Sequence, residues 1–289
     1  MPDPSPYRLV RAPAGPVVAP ALDDSQQRVV DHPGGPLLVL AGPGTGKTTT
    51  VVEAVVDRVE RRGLQPDEVL VLTFSRKAAA DLRQRISARL GRITRGPAAW
   101  TFHSYCFALV RRYDDGFAQA PRLLSGAEQF ARVRELLAGD AESRPTRWPA
   151  DLRPILRTRG FAEELRDLLL RAQEHGITPA ALQRLGVDRG RPEWQSAAGF
   201  YQDYLDVLSF EQTLDYAGLV QRAGDLLSER SIRDAESGLY HAVFVDEYQD
   251  TDPAQERLLQ LLAGGGRDLT VVGDPDQAIY GFRGADVAG

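Results

Sequence analysis

Residues 41–50 read Ala41-Gly42-Pro43-Gly44-Thr45-Gly46-Lys47-Thr48-Thr49-Thr50. Three alternate glycines allow a tight turn that aims successive backbone N–H groups at one anion. Lys47 adds compact positive charge, and the Thr48 hydroxyl is a hard oxygen donor. Together these groups suit a phosphate chain carrying Mg²⁺: Lys47 would reach the β- and γ-phosphates and Thr48 would ligate the metal. The first glycine of the G-x-x-x-x-G-K-[ST] spacing is replaced by Ala41, while Gly42, Gly44 and Gly46 remain. An ordinary glycine-rich turn is the bland alternative. Against it, the chain has two lysines, Lys47 and Lys77, and one stands here.

Two further polar groups fall just after apolar runs. His241-Ala242-Val243-Phe244-Val245 ends in Asp246-Glu247, and Leu269-Thr270-Val271-Val272-Gly273 ends in Asp274-Pro275-Asp276-Gln277. Carboxylates at the end of a strand sit where open parallel sheets collect ligands. Asp246 would hold Mg²⁺, in part through water, and Glu247 would orient and deprotonate an attacking water. Gln277 can donate to a γ-phosphate oxygen and accept elsewhere, which suits a sensor of the phosphate state. Tyr280, Phe282 and Arg283 follow; their spacing fits either stacking on unpaired bases or a packed aromatic turn.

These groups need a frame that brings distant strand ends together. Leu37–Leu40 reads as a buried strand, Val51, Val52, Val55, Val56 and Val59 recur at helical spacing, and Gly63 stops that helix. Strands are also predicted at 68–74 and 100–102, with helices at 22–30, near 73–90 and at 103–113. In the 22–30 helix, Asp23 or Asp24 is the N-cap. Between about 114 and 209 no strand is predicted, only helical patterns at 127–137, 161–174, 179–185 and 194–208. The α/β pattern resumes with a helix opening at Leu214, the strand before Asp246, a helix at 253–262 and the strand before Asp274. The fold class is therefore α/β, a parallel sheet with helices on both faces plus an all-helical insertion. The expected division is an extended lead-in over 1–20, a core over 21–113 and 210–289, and an inserted subdomain over 114–209. Tyr201, Tyr204 and Phe161 are read as core of the insertion.

Composition excludes several classes. At 289 residues, with 43% hydrophobic and 26% charged content, the chain can bury a large core. No window approaches the roughly 18 uninterrupted apolar residues of a membrane span, and Met1-Pro2-Asp3-Pro4-Ser5-Pro6 lacks the pattern of a signal peptide. The single cysteine, Cys106, precludes an internal disulfide, is read as a packed residue, and fits a cytoplasmic location. Net charge is −5, yet residues 76–95 hold seven basic residues against Asp81 alone. That cluster is either a phosphate-binding patch or a solvated helix face.

The chain resembles the N-terminal part of superfamily 1 DNA helicases of the UvrD/Rep/PcrA group. Matching segments come in family order over most of residues 22–285, the helical middle only loosely. Leu22-Asp23-Asp24-Ser25-Gln26 resembles the Q motif, which implies that Gln26 reads adenine. Residues 41–49 match motif I and imply that Ala41, Gly42, Pro43, Gly44, Thr45, Gly46, Lys47, Thr48 and Thr49 cradle ATP. Leu72–Ala80 resembles motif Ia, which turns Phe74, Arg76 and Lys77 toward single-stranded DNA. Thr101-Phe102-His103-Ser104 implies a DNA contact by His103. Val245–Thr251 matches motif II, with Tyr248 where Phe is frequent. Residues 273–285 match motif III, which puts Tyr280, Phe282 and Arg283 on the DNA, with Phe282 where Trp is frequent. The Arg-rich, Lys-poor composition also resembles actinobacterial recombination helicases of the AdnA type.

The resemblance implies a RecA-like domain using ATP and Mg²⁺ to act on single-stranded or duplex-junction DNA in repair or recombination, 3′ to 5′, away from any membrane. It also implies a second RecA-like domain, and a helicase–nuclease partner subunit. In the family the second domain supplies arginines to the γ-phosphate, a contribution of about 10³–10⁵ in rate. Only four residues follow Ala285. The expectation is thus a helicase fragment that binds Mg·ATP, hydrolyses it slowly at best and does not unwind alone. Two other classes stay open: a P-loop NTPase that is not a DNA motor, and a non-catalytic DNA-binding module.

Overall fold

The computed structural model describes residues 19–91, 98–117 and 120–277. Elements are numbered in chain order. The first part runs α1 (Asp24–Val30), β1 (Pro36–Leu40), α2 (Lys47–Glu60), β2 (Val69–Thr73), α3 (Arg76–Leu90), β3 (Ala98–Thr101) and α4 (Phe102–Tyr113). A two-residue strand β4 (Arg122–Leu123) leads into α5 (Gly126–Ser143), α6 (Arg159–Glu174), α7 (Pro179–Asp188) and α8 (Pro192–Phe210). The chain then forms β5 (Thr213–Leu214), α9 (Tyr216–Ser228), α10 (Arg230–Leu239), β6 (Ala242–Asp246), α11 (Pro253–Ala263) and β7 (Asp268–Gly273).

The main sheet has the order β1-β7-β6-β2-β3, and every pairing in it is parallel. Its central strands are continuous apolar runs because both faces are covered. Val69, Val71, Ala242, Phe244 and Val272 pack with α2 and α3 on one side. Leu70, Leu72, Val243 and Val245 pack with α4, α9 and α11 on the other. The expected α/β class is what forms, a RecA-like arrangement with the carboxyl ends of all five strands on one edge. No described helix is long and apolar enough to cross a membrane.

Two expectations need correction, and one helix had not been expected. The apolar run ahead of the glycine loop is an edge strand, not a buried one: β1 pairs with β7 alone, and Leu38 and Leu40 are 54% and 64% exposed. Hydrophobicity marks a strand but does not say whether a helix covers both faces at a sheet's margin. The 114–209 stretch does contain a strand, since β4 pairs in parallel with β5 through two residues. Such a short ladder leaves no periodic signal. The helix that had not been expected is α10, which follows α9 after one intervening residue.

Helix starts obey local chemistry. Asp23, rather than Asp24, caps α1: its carboxylate accepts from the Ser25 and Gln26 N–H groups, and the Gln26 side chain returns the bond to the Asp23 N–H. Helices α5–α8 surround a separate core that includes Trp148, Leu165, Phe200, Tyr201 and Tyr204, with Phe161 packed against it. The buried Asp215 carboxylate ties these helices to α9. It accepts from Gln129 Nε2 at 3.0 Å, Gln173 Nε2 at 3.3 Å, Tyr204 Oη at 2.7 Å and the Gly218 N–H at 2.7 Å. Cys106 is fully buried, and burial raises its thiol well above the ordinary range, as expected of a packed residue.

Candidate nucleotide cradle and adjoining groove

The glycine loop joins β1 to α2. Gly44 and Gly46 adopt positive φ, +74° and +84°, a left-handed region that side chains other than glycine enter at a cost. Gly46 is also the N-cap of α2, so the loop's N–H groups and the helix's positive end converge. The Thr45 hydroxyl donates to the Gly42 carbonyl at 2.8 Å and fixes the loop's shape. Gln26 Nε2 donates to the Thr45 carbonyl at 2.8 Å, while its Oε1 accepts from the Asp23 N–H at 3.0 Å. The structure thus docks Gln26 on the loop; a Cβ added at Gly46 would come within 2.6 Å of its Nε2. Ala41 fits the position of the missing glycine: its N–H donates to the Gly273 carbonyl at 3.1 Å, and its own carbonyl accepts from Lys47 Nζ at 3.1 Å.

Strand order puts β7 beside β1 and β6 beside β7, and their ends complete the cradle. Asp274 Oδ2 lies 3.9 Å from Lys47 Nζ. Asp246, 3% exposed, has its carboxyl pushed up to about 6, chiefly by burial and then by the Glu247 charge beside it; Lys47 and the Thr48 hydroxyl act in the opposite direction. Thr48, in the first turn of α2, and Asp246, at the end of β6, offer oxygen donors that suit Mg²⁺, and a bound cation would stabilise the ionised form that burial disfavours. Glu247 sits in a left-handed backbone conformation, φ +58°. Its Oε2 accepts from Gln249 Nε2 at 2.7 Å. Gln277 Nε2 donates to Asp274 Oδ2. Sequence reading missed Gln249 and Asp274 here, although both lie inside the motifs it singled out.

The other end of the same edge opens differently. A groove of about 960 Å³ lies beyond β2 and β3, with Phe74, Arg76, Trp100, His103, Arg111 and Tyr216 in its wall. A second cavity of about 510 Å³ shares Phe74, His103 and Tyr216 and runs between α6, α9 and α11. Three sequence-predicted residues, Phe74, Arg76 and His103, are therefore brought together; Lys77 is exposed beside Arg76 on α3. Burial lowers the His103 imidazole below its usual 6.5, so it faces the groove neutral at pH 7. Tyr216 meets it edge-on at 5.1 Å and is 41% exposed. Neither Tyr216 nor Arg111 was foreseen. Tyr216 continues the apolar stripe of α9 at its first turn, so its sequence position alone marks it as core.

The basic cluster splits in two. Arg89 makes a bidentate pair with Glu53 at 2.7 and 2.8 Å, Arg85 pairs with Asp81 at 2.8 Å, and Arg83 donates to the Ala99 carbonyl at 3.1 Å. Those three serve the fold, whereas Arg76 lines the groove and Lys77 is exposed beside it. Arg112 also lines it but is held by Glu236 at 2.5 Å. Arg92, Arg95, Tyr280, Phe282 and Arg283 lie outside the described residues.

Residues 22–289 match the UvrD/REP helicase N-terminal domain. The chain is 30% identical over 271 residues to the ATP-dependent DNA helicase PcrA of Staphylococcus aureus strain Mu50, covering 92% of this chain and 35% of that protein. The same identity and coverage hold for DNA helicase II of Escherichia coli K12 and of Salmonella typhimurium LT2. The chain thus spans about a third of the length of these curated relatives. Because the family match runs over residues 22–289, the chain belongs to the UvrD/REP helicase N-terminal domain family.

Proposed function

We propose that this chain is the ATP-binding part of an ATP-dependent DNA helicase or translocase that moves on single-stranded DNA. The observation that carries the reading is the placement of the cradle and the groove at opposite halves of one sheet edge, joined by the loop after β6. Strand β6 ends in Asp246 at the cradle, and the loop after it puts Asp250 and Asp252 in the wall of the second cavity, which shares Phe74, His103 and Tyr216 with the groove. A change at the phosphates can therefore reach the groove through a single short segment.

In this reading the loop N–H groups and Lys47 hold the triphosphate, Thr48 and Asp246 hold Mg²⁺, and Gln26 lies where it can meet the base. Bound Mg²⁺ would neutralise charge on the β- and γ-phosphates. Glu247 takes the proton of the attacking water, and Gln277 reports on the γ-phosphate. Phe74, His103 and Tyr216 offer rings to unpaired bases, while Arg76, Lys77 and Arg111 face the backbone. Tyr280, Phe282 and Arg283 extend the same track by family resemblance. Residues 21–113 and 210–289 act as the core and 114–209 as an inserted subdomain, a division supported by their separate hydrophobic clusters. A second RecA-like domain completing the motor, a helicase–nuclease partner, 3′-to-5′ movement and a role in repair or recombination belong to the same proposal. They rest on the family alone.

Titrating labelled single-stranded DNA with and without a non-hydrolysable ATP analogue, at two salt concentrations, tests it. The motor reading expects salt-dependent binding that changes with nucleotide. Nucleotide binding without DNA affinity would leave a non-motor NTPase, and DNA binding indifferent to nucleotide would leave a binding module.

A further inference from the structure

Gln249 has no part in the functions assigned above, yet both ends of its amide are engaged. It lies in the turn Tyr248–Asp250 after β6 and is 8% exposed. Nε2 donates to Glu247 Oε2 at 2.7 Å, and Oε1 accepts the Asp274 backbone N–H at 2.9 Å. Asp274 follows β7; its carboxylate accepts from Gln277 Nε2 and from the Asp276 N–H at 3.1 Å, and lies 3.9 Å from Lys47 Nζ. One glutamine therefore spans two adjacent strand ends, with the proposed base on one side and the phosphate-facing groups on the other.

The approach is close enough to constrain the sequence. A Cβ added at Gly273 would come within 2.9 Å of Gln249 Oε1 and 3.2 Å of its backbone nitrogen. The amide's orientation is fixed by chemistry as well: turned over, it would set its carbonyl against the Glu247 carboxylate and its NH₂ against the Asp274 N–H. Glu247 needs such a brace. Its left-handed backbone, φ +58°, is a conformation that persists only where the surroundings impose it. A carboxylate acts as a general base only when held within hydrogen-bond reach of the water it activates.

We propose that Gln249 is a positioning residue for ATP hydrolysis. It holds the Glu247 carboxylate and ties it to the end of β7, so that the base and the Asp274–Gln277 segment keep one geometry. The inference rests on the ATPase reading above.

Gln249→Glu and Gln249→Ala in the complete protein that carries this segment test it. The glutamate variant keeps the length and the acceptor for the Asp274 N–H but loses the donor to Glu247; the alanine variant loses both. Both should lower kcat for DNA-stimulated ATP hydrolysis by about 10-fold or more. The Kd for a non-hydrolysable ATP analogue, from equilibrium titration of the same samples, should stay within about twofold. Hydrogen exchange at the Asp274 amide should quicken in the alanine variant and hold in the glutamate variant. Turnover by the glutamate variant at the wild-type rate would overturn the proposal. So would an analogue affinity that weakens in step with kcat, since that would mark a role in binding or folding. A wild-type protein that binds no nucleotide would defeat the ATPase reading itself and this inference with it.

Discussion

The two halves of the sheet's carboxyl edge are built on different plans. At β1, β7 and β6 the working groups come from three short contiguous segments, 41–49, 246–249 and 273–277, and several act through the backbone. Beyond β2 and β3 the wall is gathered from single side chains on α3, α4 and α9, with His103 and Tyr216 far apart in sequence. Phosphate recognition needs fixed N–H groups, one cation and a few oxygens, so a local motif can specify it. A groove for a polymer needs breadth, and breadth comes from how helices pack.

Lys47→Ala separates the halves most sharply. Losing two charge-assisted contacts should weaken ATP-analogue binding by about 100-fold or more, with DNA affinity and melting temperature near wild type. Unchanged nucleotide affinity would refute the cradle. Asp246→Asn probes the cost of building the cradle. Burial sets the folded pKa at about 6, above the unfolded value of 3.8, so the penalty is complete above pH 6 and vanishes as pH falls below 3.8. In metal-free buffer at pH 7.5 the variant should be more stable by on the order of 3 kcal/mol, a gain that denaturant titration should find shrinking toward pH 4.

The groove answers to gentler changes. Tyr216→Ala should cost about 1–3 kcal/mol of single-strand affinity and leave nucleotide Kd alone. A loss of nucleotide binding in that variant would erase the distinction between the halves. Arg111→Ala should weaken binding evenly across sequences and flatten the slope of log affinity against log salt by about 0.7. The smallest effect concerns His103. Its folded pKa lies below the unfolded 6.5, so its contribution to stability is present above that value and is lost as pH falls through the folded pKa. Melting curves at pH 7.5 and 5.5 should show a smaller acid loss in His103→Gln than in wild type.

Most of the cradle was legible because its chemistry follows chain order: Gly42 to Thr48 must turn into a helix, and Asp246 must end a strand. The helix caps were equally local, as Asp23 and Gln26 illustrate. The basic run after Arg76 was not decidable, since Arg89 finds Glu53 on a neighbouring helix while Arg76 finds open groove. Charge in a sequence does not name its partner.

The amino-acid sequence by itself determined that strands and helices alternate, where the glycine loop lies, and which carboxylates follow apolar runs. Backbone turn chemistry and periodicity are short-range, so they survive being read along a line. Tertiary structure alone decided the strand order that sets β7 between β1 and β6 and leaves Leu38 and Leu40 at an uncovered margin. It also decided that Tyr216 meets His103 and that Gln249 bridges Glu247 to Asp274. Those contacts depend on side-chain packing between elements distant in the chain, where separation along the sequence carries no distance in space.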